Sequence, residues 1–395
     1  MRGRPYHSDA QRPAGAGPRA CPLPGDHRGL PLQEAVVNHK QNQWLLLLGL
    51  ALSCLPQTAW AKWYLLATSA PNTLHVIDTE TDTVVKKIEL EGRGPALNVA
   101  PNPAHPQYAY VVNNLAQSVA MVDLDEGKQV TSFPLSSDSE LVRTQAIDVN
   151  PQGNRLYIHE MPLKKEMGRY EIEDNRIRVI DLETNKGVKV FKAPRQIMAL
   201  ASSKDGKRLY AFSIGQDIYV LDPERGTLVD TIPLTNRNIT GIGRTDGLPV
   251  WNPYQENDYL VSFAVVVSDT LTGQSTLGIA SLDLTQPDPE LQTIELQPYT
   301  AEHYTLGGAL SPKNHKVYFS YNSLWKVDPK TRQIEKTGSV ENTYFSPFLH
   351  PEGKKIYCGG NWHNIAVFDA ETLEPITKIE LGNTQAGGSL RFVQR

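Results

Sequence analysis

Aspartates that recur at a regular spacing are the first residues in this 395-residue chain with the chemistry to act as acids, bases or ligands. Asp78, Asp123, Asp181, Asp222, Asp283, Asp328 and Asp369 each follow an apolar residue, in five of them an apolar pair, and precede a polar turn, as in Val76-Ile77-Asp78-Thr79-Glu80 and Val367-Phe368-Asp369-Ala370-Glu371. Paired carboxylates can divide acid and base roles between them. These stand 41 to 61 residues apart, and each closes a short apolar run where an Asp side chain can accept hydrogen bonds from the following turn. They read as turn residues rather than catalysts. The histidines beyond residue 61 (His75, His105, His159, His303, His315, His350 and His363) lack metal-ligand spacing and read mostly as surface or turn residues. No Cys-x-x-Cys-His run for covalent haem occurs, and no glycine-rich phosphate loop. The chain itself is therefore expected to bind no cofactor and no metal and to carry no catalytic residue.

The spacing of the aspartates says what positions them. Intervals of 45, 58, 41, 61, 45 and 41 residues, with several short strands in each, are the signature of a β-propeller, the two long units carrying inserted loops. Before most of these aspartates comes a Pro or Gly turn leading into a strand with a tyrosine. Examples are Asn150-Pro151-Gln152-Gly153 before Tyr157, Ser203-Lys204-Asp205-Gly206 before Tyr210, and His350-Pro351-Glu352-Gly353 before Tyr357. Each unit thus reads as strand, tight turn, strand, variable loop, strand ending at Asp, turn, strand: one four-stranded blade. The expected fold is all-β, a seven-bladed β-propeller. Its first unit starts at Trp63-Tyr64-Leu65-Leu66-Ala67 without an inner strand, and the chain ends on an orphan strand, Ser389-Leu390-Arg391-Phe392-Val393. The C-terminal strand is expected to complete the first blade and close the ring.

The N-terminal region is of another kind. Trp44 to Leu55 has the length of a signal-peptide apolar core, preceded by His39-Lys40 and followed by the small-x-small site Ala59-Trp60-Ala61. Residues 37–61 read as a cleaved signal peptide, with cleavage after Ala61 and export to the periplasm. A lipoprotein reading through Cys54 fits its preceding residues poorly. Residues 1–36 show no periodicity and read as upstream sequence outside the natural protein, leaving 62–395 as one propeller domain. The first 61 residues hold six Lys or Arg and three acidic residues, so 33 basic and 40 acidic residues remain, a formal charge near −7. That balance points away from nucleic acid or an anionic membrane as partner. Of three cysteines only Cys358 lies beyond the leader, so stability must come from packing rather than a disulfide.

Function is expected where the repeat breaks. In a propeller, the loops between blades share a face with those joining second and third strands. Here both kinds are long: Ser136 to Gln145, Leu163 to Asp174, Thr235 to Pro253 and Gln297 to Gly307. Arg143, Arg195, Trp251, Tyr304 and Tyr344 gather there, with Trp251, Tyr304 and Tyr344 at the starts of successive inner strands, as candidates for a pocket or a subunit interface. The alternative is that they only plug the channel mouth.

At these residues a family resemblance becomes specific. Lys192-Ala193-Pro194-Arg195-Gln196-Ile197, then Asp205-Gly206, the run Val220 to Val229, Val250-Trp251-Asn252 and the segment Tyr357 to Leu373 together resemble the β subunit of quinohemoprotein amine dehydrogenase. The resemblance runs from about Trp63 to the end, while the long fifth unit, Asp258 to Gln292, departs from it. It implies a periplasmic heterotrimer in which a dihaem cytochrome c α subunit carries two haem c groups. A small γ subunit carries cysteine tryptophylquinone, and the propeller carries no cofactor. Primary amine would be oxidised at the quinone, beside the subunit interface, and electrons would pass to the haems. The competing reading is a stand-alone exported propeller, a lactonase-like hydrolase or a binding or adhesion protein.

Overall fold

The turn after each repeated aspartate shows how local sequence makes a blade. The computed structural model describes residues 61–214, 217–234, 259–269, 272–385 and 389–395 and the backbone of 244–247. In it, Oδ1 of all seven aspartates accepts a hydrogen bond of 2.8–3.0 Å from a backbone N–H two or three residues on. In six of them the residue four places after the aspartate adopts φ of 53–74°: Asp82, Gly127, Asn185, Gly226, Arg332 and Leu373. At the same six sites the ladder to the next strand shifts register just ahead of the aspartate. A side-chain-capped turn ending in a left-handed residue therefore joins the third and fourth strands. Asp283 departs because Pro287 occupies the fourth place and cannot take a positive φ; there the shift lies earlier, between Leu277 and Gly278.

Seven antiparallel sheets result, and they form a seven-bladed ring. Within a blade the strands follow chain order outward, for example Tyr344–Leu349, Lys355–Gly360, Asn364–Asp369 and Pro375–Glu380. Burial explains the order. The middle strands are enclosed on both faces, as in Thr73–Asp78, whereas the outermost strands, such as Thr83–Glu89, alternate exposed and covered residues with period two. The first strands of the first to fourth blades lie against one another in turn, as do those of the sixth and seventh.

The first blade is completed as the sequence predicts. Strand Leu390–Gln394 pairs with Trp63–Ser69 in the register Trp63↔Gln394 to Ala67↔Leu390, and Lys62 and Arg395 exchange backbone hydrogen bonds of 2.6 and 2.9 Å. The core is divided accordingly. Each of seven apolar clusters draws its side chains from two adjacent blades, so every blade is held on both faces by its neighbours. Leu390 and Val393 belong to the two clusters that flank the closure.

The third blade departs from the repeat. Its second strand, Arg155–Glu166, runs past its partners, and the excess pairs on one side with Glu140–Arg143 and on the other with Arg169–Ile172. Two stretches expected to be loops, Ser136 to Gln145 and Leu163 to Asp174, are therefore the flanks of a small sheet that prolongs the blade. In the fifth blade the inner strand Arg244–Gly247 lies inside the expected loop Thr235 to Pro253. Trp251 consequently follows the start of that strand instead of marking it, and the residue itself lies outside the described residues, as do 1–60. Among the described residues, no helix is long and apolar enough to cross a membrane.

Candidate functional site

The prolonged third blade, the connections between blades and the loops between second and third strands share one face of the ring. On it a group of aromatic rings spans the fifth to seventh blades. Tyr304, 37% exposed, meets Tyr321 edge-on at 4.9 Å between centroids and Tyr299 at 6.0 Å, and Tyr321 stacks on Phe345 at 6.3 Å. Beside them opens a cavity of about 440 Å3 lined by Tyr299, Thr300, Glu302, Tyr304, Asn322 and Trp325. Rings that pack edge-on keep their positions while leaving one face for a ligand or partner. A second cavity, of about 330 Å3, opens among the tight turns of the opposite face, between Trp63, Asn102, Tyr259, Pro351 and Phe392. Nothing in the repeat pattern pointed to it.

The sequence candidates are not brought together. Tyr304 stands in the aromatic group, but Tyr344 does not: it is fully buried between the sixth and seventh blades, its hydroxyl donating to Asn364 Oδ1 at 2.9 Å. Strand alternation is the reason. Tyr344 opens a strand and points into the core, while the next residue, Phe345, turns toward Tyr321. Tyr344 therefore cannot present a surface to a partner. Arg143 is exposed at the end of Glu140–Arg143, opposite Met161. Arg195, 62% exposed at its side chain, lies 3.9 Å from Asp174 in the gap between the third and fourth blades. Tyr299, Tyr321 and Phe345 were missed by sequence reasoning, although their place at strand ends on the long-loop face was a usable signal.

A charged cluster at the root of the prolonged blade was also missed. Glu160 has 0% side-chain exposure and accepts from Arg176 Nε at 2.6 Å and from Arg178 Nε. Arg176 in turn grips Glu140 with two hydrogen bonds of 2.9 and 2.6 Å, which holds the Glu140 carboxyl below its usual pKa. Every carboxylate oxygen thus has a cationic donor. This is a clamp, and it presents no unpaired acid or base.

Of the seven histidines, His105, His315 and His363 are exposed and His350 opens a tight turn, as expected, while His75, His159 and His350 are buried. His75 Nε2 lies 2.8 Å from Ser69 Oγ, a hydroxyl–imidazole pair of the kind that activates a nucleophile. Both side chains are only 1% exposed, and His75 Nδ1 has no hydrogen-bond partner to orient the ring, so the pair is a core contact. Burial pushes the pKa of His75 and of His159 down to about 4, leaving both neutral. Cys358 is fully buried, and burial raises its thiol pKa. Among the described residues no three His, Cys, Asp or Glu side chains gather to hold a metal ion.

No family model matches the sequence, and no curated protein matches it. Solved structures do share its fold. Hydrazine synthase from Kuenenia stuttgartiensis superposes with a TM-score of 0.54 at 16% identity, covering 76% of this chain and 90% of that one. A functionally unknown protein from Desulfotomaculum acetoxidans DSM 771 gives 0.54 at 13% identity, covering 84% and 99%. At such identities the likeness is one of fold, a propeller.

Proposed function

We propose that the chain is the cofactor-free propeller subunit of a periplasmic quinohemoprotein amine dehydrogenase. On this reading it seats the quinone-bearing γ subunit on its long-loop face and helps wall the pocket in which primary amines are oxidatively deaminated, electrons passing to haem c in the α subunit. The observation that carries the reading is the aromatic group of Tyr299, Tyr304, Tyr321 and Phe345 beside an open cavity of about 440 Å3, on the face where the repeat is broken. Large rings held by one another suit the centre of an interface or an apolar wall, because they bury much area at little entropic cost. The sequence stretches around Arg195, Val220 to Val229 and Tyr357 to Leu373 support the same family.

The role of this chain's residues would be positional. Aromatic side chains would exclude water from the reacting centre, strengthening electrostatic interactions there, and the rigid ring would fix the partner's orientation. The partner subunits would supply the redox chemistry.

Reconstitution tests the reading. Residues 62–395 expressed alone should show no haem Soret band, no quinone staining and no amine-dependent dye reduction, and activity should appear when the dihaem and quinone-bearing subunits are co-expressed. Tyr304→Ala should weaken assembly about 30-fold, the equivalent of about 2 kcal/mol for an interface anchor, or raise KM for amine. Lys330→Ala, in a tight turn of the opposite face, should change neither. Amine oxidation by the isolated chain, or failure of the three subunits to associate, would overturn the assignment.

A further inference from the structure

The small sheet that prolongs the third blade has two unlike sides. Pairing fixes which residues share a side: Met161 faces Arg143, Leu163 faces both Leu141 and Ile172, and Lys165 faces Tyr170. The opposite side carries Val142 and Pro162 near its root, where Val142 packs into the core between the second and third blades. Farther out it carries Lys164, Glu166 and Arg169, whose charges pair with each other at 2.8–3.1 Å. One side thus satisfies itself.

The other side is apolar and open. Ile172 is 69% and Tyr170 62% exposed, and Met167 at the hairpin tip is fully exposed. Residue parity along Arg155–Glu166 sets its direction. Leu156 and Ile158 pack toward the second blade and Tyr157 toward the fourth, so Met161 and Leu163 face the fourth-blade side, the side on which Arg195 bridges to the next blade. Arg143, exposed on this side, has no ion pair among the described residues.

The arm is also held rigid. Glu160, buried at its root, binds Arg176 and Arg178, and Arg176 ties the third strand of the blade to Glu140 on the flanking strand. Ordering cost is therefore met on folding rather than on binding. Only the Glu160 carboxylate is wholly enclosed, and its two guanidinium partners offset that desolvation while each keeps part of its side chain in water.

We infer that this side of the arm, centred on Leu163, Tyr170 and Ile172 with Arg143 at its edge, is a docking surface for a protein partner whose contact surface is apolar with carboxylates at its rim. The inference rests on the proposed function in one respect: the partner is taken to be the quinone-bearing subunit. Charge complementarity selects such a partner, because exposed Arg143 and Lys165 flank the apolar centre on a chain whose overall charge is acidic.

The test is capture of the quinone-bearing subunit by the full propeller chain, wild type beside Tyr170→Ser/Ile172→Ser, Arg143→Glu and Arg143→Lys, with thermal melting and light scattering on each. The double variant should weaken capture about 30-fold or more without lowering Tm, since both side chains are exposed. Arg143→Glu should weaken it and flatten its salt dependence, and Arg143→Lys should restore most of the loss. If wild type captures the subunit and the double variant captures it equally well, the inference falls while the proposed function stands. If wild type captures nothing, the proposed function falls and takes the inference with it. A dimer of the isolated chain that the double variant dissociates, with capture unchanged, would assign the surface to a second copy and likewise overturn the inference.

Discussion

Removing the last strand should open the ring, and the structure allows the cost to be worked out. Leu390 is 1% and Val393 5% exposed, each in a different interblade cluster, and five residue pairs join their strand to Trp63–Ser69. Burying a Leu or Val side chain contributes about 1.5–3 kcal/mol, so deleting 389–395 forfeits about 3–6 kcal/mol from these two alone. Unpaired ladder groups then add to the loss on the Trp63–Ser69 edge. Total stabilities of natural domains are about 5–15 kcal/mol, so the truncated chain should aggregate or unfold near ambient temperature. The milder Leu390→Ala should cost about 2–5 kcal/mol, which in a chain this long lowers Tm by roughly 5 °C. Calorimetry and circular dichroism on residues 62–395 read both. Unchanged melting in either variant would refute the closure argument, because it would mean the strand contributes nothing to the ring.

Three further outcomes follow from the geometry. Asp369→Ala removes acceptors for Glu371 N–H, Thr372 N–H and the Thr372 hydroxyl and should cost about 2 kcal/mol in urea unfolding; a loss under about 0.5 kcal/mol would show that the turn holds without its cap. Glu160→Ala leaves Arg176 and Arg178 facing a buried void and should cost about 3 kcal/mol, with faster hydrogen exchange at 161–172; unchanged exchange would mean the clamp does not hold the arm. Acid should destabilise the protein in a defined window. His75 and His159 have folded pKa values of about 4, below the ordinary 6.5, so the unfolded chain binds protons first. Their contribution is complete above pH 6.5 and is lost as pH falls toward 4, and each tenfold difference in proton affinity between the unfolded and folded chain is worth about 1.4 kcal/mol. The lowered pKa values of Asp78, Asp181, Asp328 and Asp369 place their losses below about pH 4, so a flat Tm between about pH 6.5 and 4.5 would contradict the burial of the histidines.

What the sequence determined by itself is the repeat and everything local to it. An aspartate two or three residues from the N–H groups it accepts from, an alternating outer strand and a Pro or Gly turn are interactions of short range, so their residues reveal them without knowledge of distant partners. Closure was legible for a related reason: the first unit lacked one strand and the chain end supplied one, and an open edge is too costly to leave. The tertiary structure alone decided which side chains reach the surface. Tyr344 and Phe345 are adjacent aromatics, and only the pairing of their strand with Lys355–Gly360, including its register shift, sends the first into the core and leaves the second beside Tyr321. Glu140–Arg143 and Arg169–Ile172 read as loops because neither is long or regular enough to be a strand alone; each becomes one only against the overrun of Arg155–Glu166. Glu160, Arg176, Arg178 and Glu140 come from three different strands, and His75 and His159 are buried by neighbouring strands. Long-range pairing brings these groups into contact and removes them from water, and no local pattern records which residues it will choose.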